Sequence, residues 1–222
     1  RGSSVTEPSL IYKQGVDVQH EAHPDWYRSE CCNWIASQKN LAEPSALEEY
    51  VLRGWLPPKP LISKTDVVTP FGSCFASSVR DYLAQQGYRI SYNKLGTSVM
   101  VNTAEAIVNT FALRQQFEWA YKGKTLNEAL WYDSTGVLHE QTTAVRKATR
   151  EVFEETTVFI ITLGLSEVWY NKITGEVFWR AIPKSKFDPQ VHGFRIASHE
   201  ENTQNLEAIY QIIRTYRSQA TL

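Results

Sequence analysis

The chain has 222 residues, 42% of them hydrophobic, enough to bury a core as one domain. Its 23 basic and 24 acidic residues leave a net charge of −1 with no long like-charge block, which argues against nucleic acid or an anionic membrane as the main partner. No run approaches the ~18 apolar residues of a membrane span, and three sparse cysteines, two of them the adjacent Cys31 and Cys32, fit a reducing, cytoplasmic setting better than a disulfide scaffold.

Residues 1–44 are polar, aromatic and irregular, and read as an extended arm. Ser45-Ala46-Leu47-Glu48 has the form of a capping box for a short helix ending near Gly54, so residues 1–54 are expected to pack on a core formed by 55–222. Arg1 is an unusual first residue and is compatible with a start further upstream. Trp55-Leu56-Pro57-Pro58-Lys59-Pro60 is a stiff connection into the first core strand.

That strand is the apolar run at Val67-Val68, leading into Phe71-Gly72-Ser73-Cys74-Phe75-Ala76 and then an amphipathic helix closing at Gly87. Tyr88–Tyr92 reads as a second strand, followed by the loop Asn93-Lys94-Leu95-Gly96-Thr97. Thr103 is expected to cap a long helix reaching about Tyr121. Asp133-Ser134-Thr135-Gly136 is a turn, and Thr143–Glu155 a charged amphipathic helix. Val158–Thr162 is a near-continuous apolar run, the pattern of a parallel strand covered on both faces. Trp169–Ile182 reads as a hairpin across Lys172-Ile173-Thr174-Gly175. Ser198-His199-Glu200-Glu201 caps a last helix with Leu206, Ile209, Ile213 and Tyr216 at helical spacing. Strands alternating with helices predict a three-layer α/β domain with a mostly parallel sheet.

A strand, a glycine turn, a hydroxyl and a thiol, then a helix suit nucleophilic catalysis. The turn places the side-chain nucleophiles under the free amides and positive end of the helix, where an oxyanion or thiolate is favoured. The structural alternative is that Ser73 caps the helix and Cys74 is a buried small apolar residue. No Cys-x-x-Cys, His-Glu-x-x-His or tight acidic cluster occurs, so neither a metal nor a cofactor is expected. Trp131, Trp169, Tyr170 and Trp179 could form a wall for sugar stacking, with core packing as the competing role.

Three blocks resemble one family. FGSCFA at 71–76, Thr162-Leu163-Gly164-Leu165-Ser166-Glu167-Val168-Trp169 and Phe187-Asp188-Pro189-Gln190-Val191-His192-Gly193-Phe194 are similar, in the same order, to the FGSCFA, TLGLTExW and FDPxxHxF blocks of the GSCFA family, a branch of the SGNH/GDSL-like hydrolases. The resemblance covers roughly residues 55–217 and implies a flavodoxin-like SGNH-type fold. It also implies esterase or acyltransferase chemistry on an acylated carbohydrate or similar small ester.

Matching FGDS of the GDSL enzymes to Phe71-Gly72-Ser73-Cys74 puts Cys74 at the nucleophile position, and a one-residue slip puts Ser73 there. Gly72, Phe75 and Gly164 would frame the substrate. Ser166 would replace the superfamily's oxyanion-binding Asn, with Gly96 or Asn93 completing the hole. Glu167 would orient a base or bind a hydroxyl, and Trp169 would line the site. The superfamily's Asp-x-x-His element has no counterpart here. His192, four residues after Asp188, is the candidate base and His139 with Glu140 the alternative, while His199 falls in a helix-capping turn and is expected to be solvated. A further strand expected after the last helix is missing, so the sequence is either cut short or lacks it, and a partner chain or further segment would cover the sheet edge. An inactive member that binds a glycan or protein partner is the competing function.

Overall fold

The computed structural model describes residues 12–13, 22–23, 42–48, 52, 57, 59–91, 109–125, 141–179 and 181–222. The chain divides into two compact units, residues 1–61 and 62–222. In the first, β1 (Tyr12–Lys13) pairs antiparallel with β2 (Ala22–His23). In the second, the order is β3 (Val67–Gly72), α1 (Cys74–Gln85), β4 (Arg89–Ile90), α2 (Thr110–Phe117), α3 (Thr143–Glu155), β5 (Val158–Thr162), β6 (Glu167–Asn171), β7 (His192–Ile196) and α4 (His199–Tyr216).

The sheet is parallel with order β4-β3-β5, so the chain leaves β3 on one side and returns on the other. Its two faces carry different cores. Val158 and Ile160 face a cluster with Val68, Ile90 and the α1 residues Leu83 and Ala84. Phe159 and Ile161 point to the larger cluster built from α2, α3 and α4, where Phe117 stacks on Phe153 with ring centroids 4.4 Å apart. Period-two alternation with both faces apolar is why β5 reads as a continuous hydrophobic run. A chain of buried hydroxyls runs from Ser91, just past β4, through Thr69 of β3 to Thr156, at the end of α3: Ser91 to Thr69 at 2.6 Å, Thr69 to Thr156 at 2.5 Å, and Thr156 donating to the Val152 carbonyl at 2.7 Å.

Past α4 the backbone returns to the sheet. Thr221 bridges Val158 in parallel, the Phe159 N–H donating to the Thr221 carbonyl and the Thr221 N–H to the Thr157 carbonyl, both at 2.8 Å. The β5 edge is therefore covered at that point by the chain itself.

Several predicted elements differ in extent. The long helix expected from Thr103 is described from Thr110, capped by Asn109 accepting from the Ala112 amide, and it widens into a π-helical turn over Glu118–Lys122. The turn at Lys172–Gly175 forms, with the Asn171 carboxamide accepting from the Ile173 and Thr174 amides, and Tyr170 bridges Val177. The main partner of β6 is β7, a strand not anticipated from the sequence, in antiparallel register with Trp169 opposite Phe194 and Glu167 opposite Ile196. Among the described residues no helix is long and apolar enough to cross a membrane.

Candidate functional site

In an open parallel sheet the ligand crevice lies beyond the carboxyl ends of the strands, where neighbouring connections depart in opposite directions. Here that point falls between β3 and β5, at Gly72 and Thr162, which are register partners. Gly72 has φ +129°, and a Cβ on it would lie 2.0 Å from the Thr162 carbonyl oxygen. Only glycine lets the two strand ends approach this closely.

Ser73 is held by the same neighbour. Its N–H donates to Thr162 Oγ1 at 2.9 Å and meets the Thr162 carbonyl at 3.2 Å, while Ser73 Oγ and Thr162 Oγ1 share a further bond of 2.9 Å. Ser73 is buried and its side chain does not cap α1. Cys74, the first residue of α1, is exposed. Both halves of the purely structural alternative are thus absent: the hydroxyl ties the turn to β5 instead of capping, and the thiol faces solvent. The amides of Cys74 and Phe75 belong to the first turn, where helix geometry supplies no acceptor and the positive end of the dipole is nearest.

From Thr162 the chain runs through Leu163, Gly164, Leu165 and Ser166, all exposed. Ser166 is pinned at its carbonyl, which accepts from the Ala197 amide at 2.7 Å, and Glu167 opens β6 with its side chain exposed. Trp169 is half-buried, its ring edge-on to Phe187 and tilted against Phe194, with the large core behind it. Trp179, at 2% exposure, is a core residue, and Tyr170 packs with the cluster around Val168 and Val177. The expected aromatic wall therefore reduces to Trp169 among its described members. Asn93, Gly96, Trp131, His139 and Glu140 lie outside the described residues.

His192 opens β7. Its Nδ1 accepts from the Asp188 backbone N–H at 3.0 Å, while the Asp188 carboxylate is occupied by the Gln190 amide at 2.8 Å. The carboxylate was expected to hold the ring; the backbone amide does so instead. An imidazole whose Nδ1 accepts carries its proton, when neutral, on Nε2. No described hydrogen bond, ion pair or ring contact joins His192 to Ser73 or Cys74; its ring neighbours are Phe178 and Phe187. His199, at the start of α4, is fully solvent-facing. No group of histidine, cysteine and acidic residues suited to a metal occurs among the described residues.

The sequence reading overlooked Thr162, the residue that anchors both Ser73 and the Gly72 approach. One signal was available: it is the first polar side chain after four apolar ones, at the carboxyl end of a buried parallel strand.

Compared with known proteins, residues 67–222 match the family model described as the GSCFA family. No curated protein and no solved structure matches the chain.

Proposed function

The chain belongs to the GSCFA family, and from that premise we propose that it performs ester hydrolysis or acyl transfer with Cys74 as the nucleophile. The observation that carries this reading is the division of labour at the turn: the Cys74 thiol is exposed at the start of α1, whereas the Ser73 hydroxyl is buried and bonded to Thr162. In the proposed reaction Sγ, having given its proton to solvent, attacks the acyl carbon. The ester C–O bond breaks and the leaving alkoxide takes a proton from water. The amides of Cys74 and Phe75 hold the oxyanion, in the way helix N-termini stabilise developing negative charge. Water or an acceptor hydroxyl, such as that of a sugar, then takes the acyl group and frees the thiol. Glu167, Gly164 and Ser166 line the exit of β5 and would contact the alcohol portion.

A second reading is a non-catalytic module that binds an acylated glycan or a protein partner. It is favoured by one observation, that no described histidine meets Cys74. Labelling separates the two. With adducts mapped by mass spectrometry, iodoacetamide should alkylate Cys74 ahead of Cys31 and Cys32, and a fluorophosphonate should leave Ser73 untouched. Fluorophosphonate on Ser73 would transfer the nucleophile to the hydroxyl, and no selective adduct at either position would leave the binding module.

A further inference from the structure

We propose that the acyl group accepted by Cys74 is an apolar chain of medium length, seated on Phe75, Leu163 and Leu165. The inference rests on the Cys74 reading above and specifies its substrate class. Three large apolar side chains follow the carboxyl ends of β3 and β5 within three residues and keep most of their surface in water: Phe75 at 65%, Leu163 at 53% and Leu165 at 55% exposure. Single exposed leucines are ordinary on protein surfaces, but a concentration of them beside a nucleophile marks a binding surface.

Proximity follows from the backbone. The Ser73 N–H bond to the Thr162 carbonyl measures 3.2 Å. With one peptide unit on either side, that places the Leu163 and Cys74 amides within about 10 Å of each other. Phe75 is the next residue after the thiol, and Leu165 lies two beyond Leu163. The two segments themselves are uncharged: Cys74-Phe75-Ala76-Ser77 and Leu163-Gly164-Leu165-Ser166 carry no ionisable acid or base other than the thiol, and Glu167 follows only at the start of β6. A short or ionised acyl group would leave this surface wet, whereas an alkyl chain extending from the acyl carbon would cover it.

The chemistry is unchanged: the Sγ–acyl bond forms as the ester C–O bond breaks, and water then releases the carboxylic acid and the thiol. The test is a series of p-nitrophenyl esters from acetate to octanoate, used below micelle-forming concentrations with the intact chain. A fully buried methylene gains about four-fold and one covered on a single side roughly two-fold, so over six methylenes kcat/KM should rise of the order of fifty-fold from acetate to octanoate. The double variant L163S/L165S, altered only at exposed positions, should lower the octanoate-to-acetate ratio by about ten-fold. A flat or falling series, or a ratio unmoved by the double variant, overturns the apolar-chain inference, while an acyl adduct on Cys74 still supports the nucleophile. If no ester is turned over and no acyl adduct forms on Cys74, the nucleophile reading fails and the inference with it.

Discussion

A methyl group at residue 72 has nowhere to go. The Gly72→Ala side chain would overlap the Thr162 carbonyl in a backbone conformation that L-residues avoid. The variant should lose at least about 3 kcal/mol, combining backbone strain with separation of the β3 and β5 ends. Denaturant unfolding would measure it, and a loss below about 1 kcal/mol would mean the turn has room to relax. Thr162 permits a finer experiment. Thr162→Val keeps the shape and deletes the hydroxyl that serves Ser73 twice, at a cost of about 1–3 kcal/mol for the groups left unpaired. Thr162→Ser should restore both stability and the rate of Cys74 alkylation; a Ser variant as impaired as Val would shift the role to the methyl group. At this scale the sequence was partly legible. The Gly-Ser-Cys string announces a turn and the candidate nucleophiles by local order alone. The Ser73–Thr162 pairing links residues 89 positions apart, and no local pattern encodes it. Nor does residue type reveal that Asp188 holds His192 through its amide.

The last helix shows how much an element's ends can carry. Ser198 accepts from the Glu201 amide and Glu201 reaches back to the Ser198 amide, the reciprocal cap anticipated from Ser-His-Glu-Glu. Arg195 of β7 adds two bonds of 2.7 Å to the same carboxylate. Ser198→Ala should cost about 1 kcal/mol, a fall in Tm of roughly 2–4 °C for a chain of this size. The Arg195 guanidinium, followed by the Ser198 amide, holds the Glu201 carboxyl below its ordinary value of 4.5. Since the folded-state value is the lower one, this contribution is complete above the ordinary value and is lost as pH falls through the depressed one. The Tm of Glu201→Gln should thus trail the parent at pH 6 and converge with it toward pH 3; a constant gap would assign the loss to packing. Elements with strong periodicity, such as α3 and α4, were readable because one face meets the core every third or fourth residue. Strand β7 was not, because its inward residues include Gly193 and Arg195 while Phe194 and Ile196 face outward. Its alternation is inverted relative to the usual signal.

For the whole molecule, the strand order explains why two segments far apart in sequence meet: the crossover from β3 to β4 and the return to β5 leave both carboxyl ends at the same edge of the sheet. The alternation of strands and helices made this three-layer plan legible, whereas the order of strands within the sheet requires contacts that sequence spacing does not contain. The plan also ties residues 220–222 into the sheet. Ala220 is buried and Thr221 makes the two backbone bonds to the β5 segment. Deleting 220–222 should cost about 2–3 kcal/mol from those bonds and the lost burial, measured as a lower midpoint in urea; an unchanged midpoint would mean that the β5 edge stands without them.

The hydroxyl chain from Ser91 through Thr69 to Thr156 bears on how the sheet finds its alignment. Apolar strands such as Val67-Val68 and Val158–Ile161 offer little to distinguish one pairing from its neighbour, because valine packs almost as well against isoleucine as against phenylalanine. A shift of β3 by one residue would turn Thr69 to the opposite face and leave the buried Ser91 hydroxyl without its partner, at a penalty of about 1–3 kcal/mol, while Thr156 keeps its bond to the Val152 carbonyl. Three small polar side chains thereby favour the native register over a one-residue slip, a discrimination that apolar packing alone does not supply. The same register that pairs these hydroxyls sets Gly72 opposite Thr162 at the other end of the sheet.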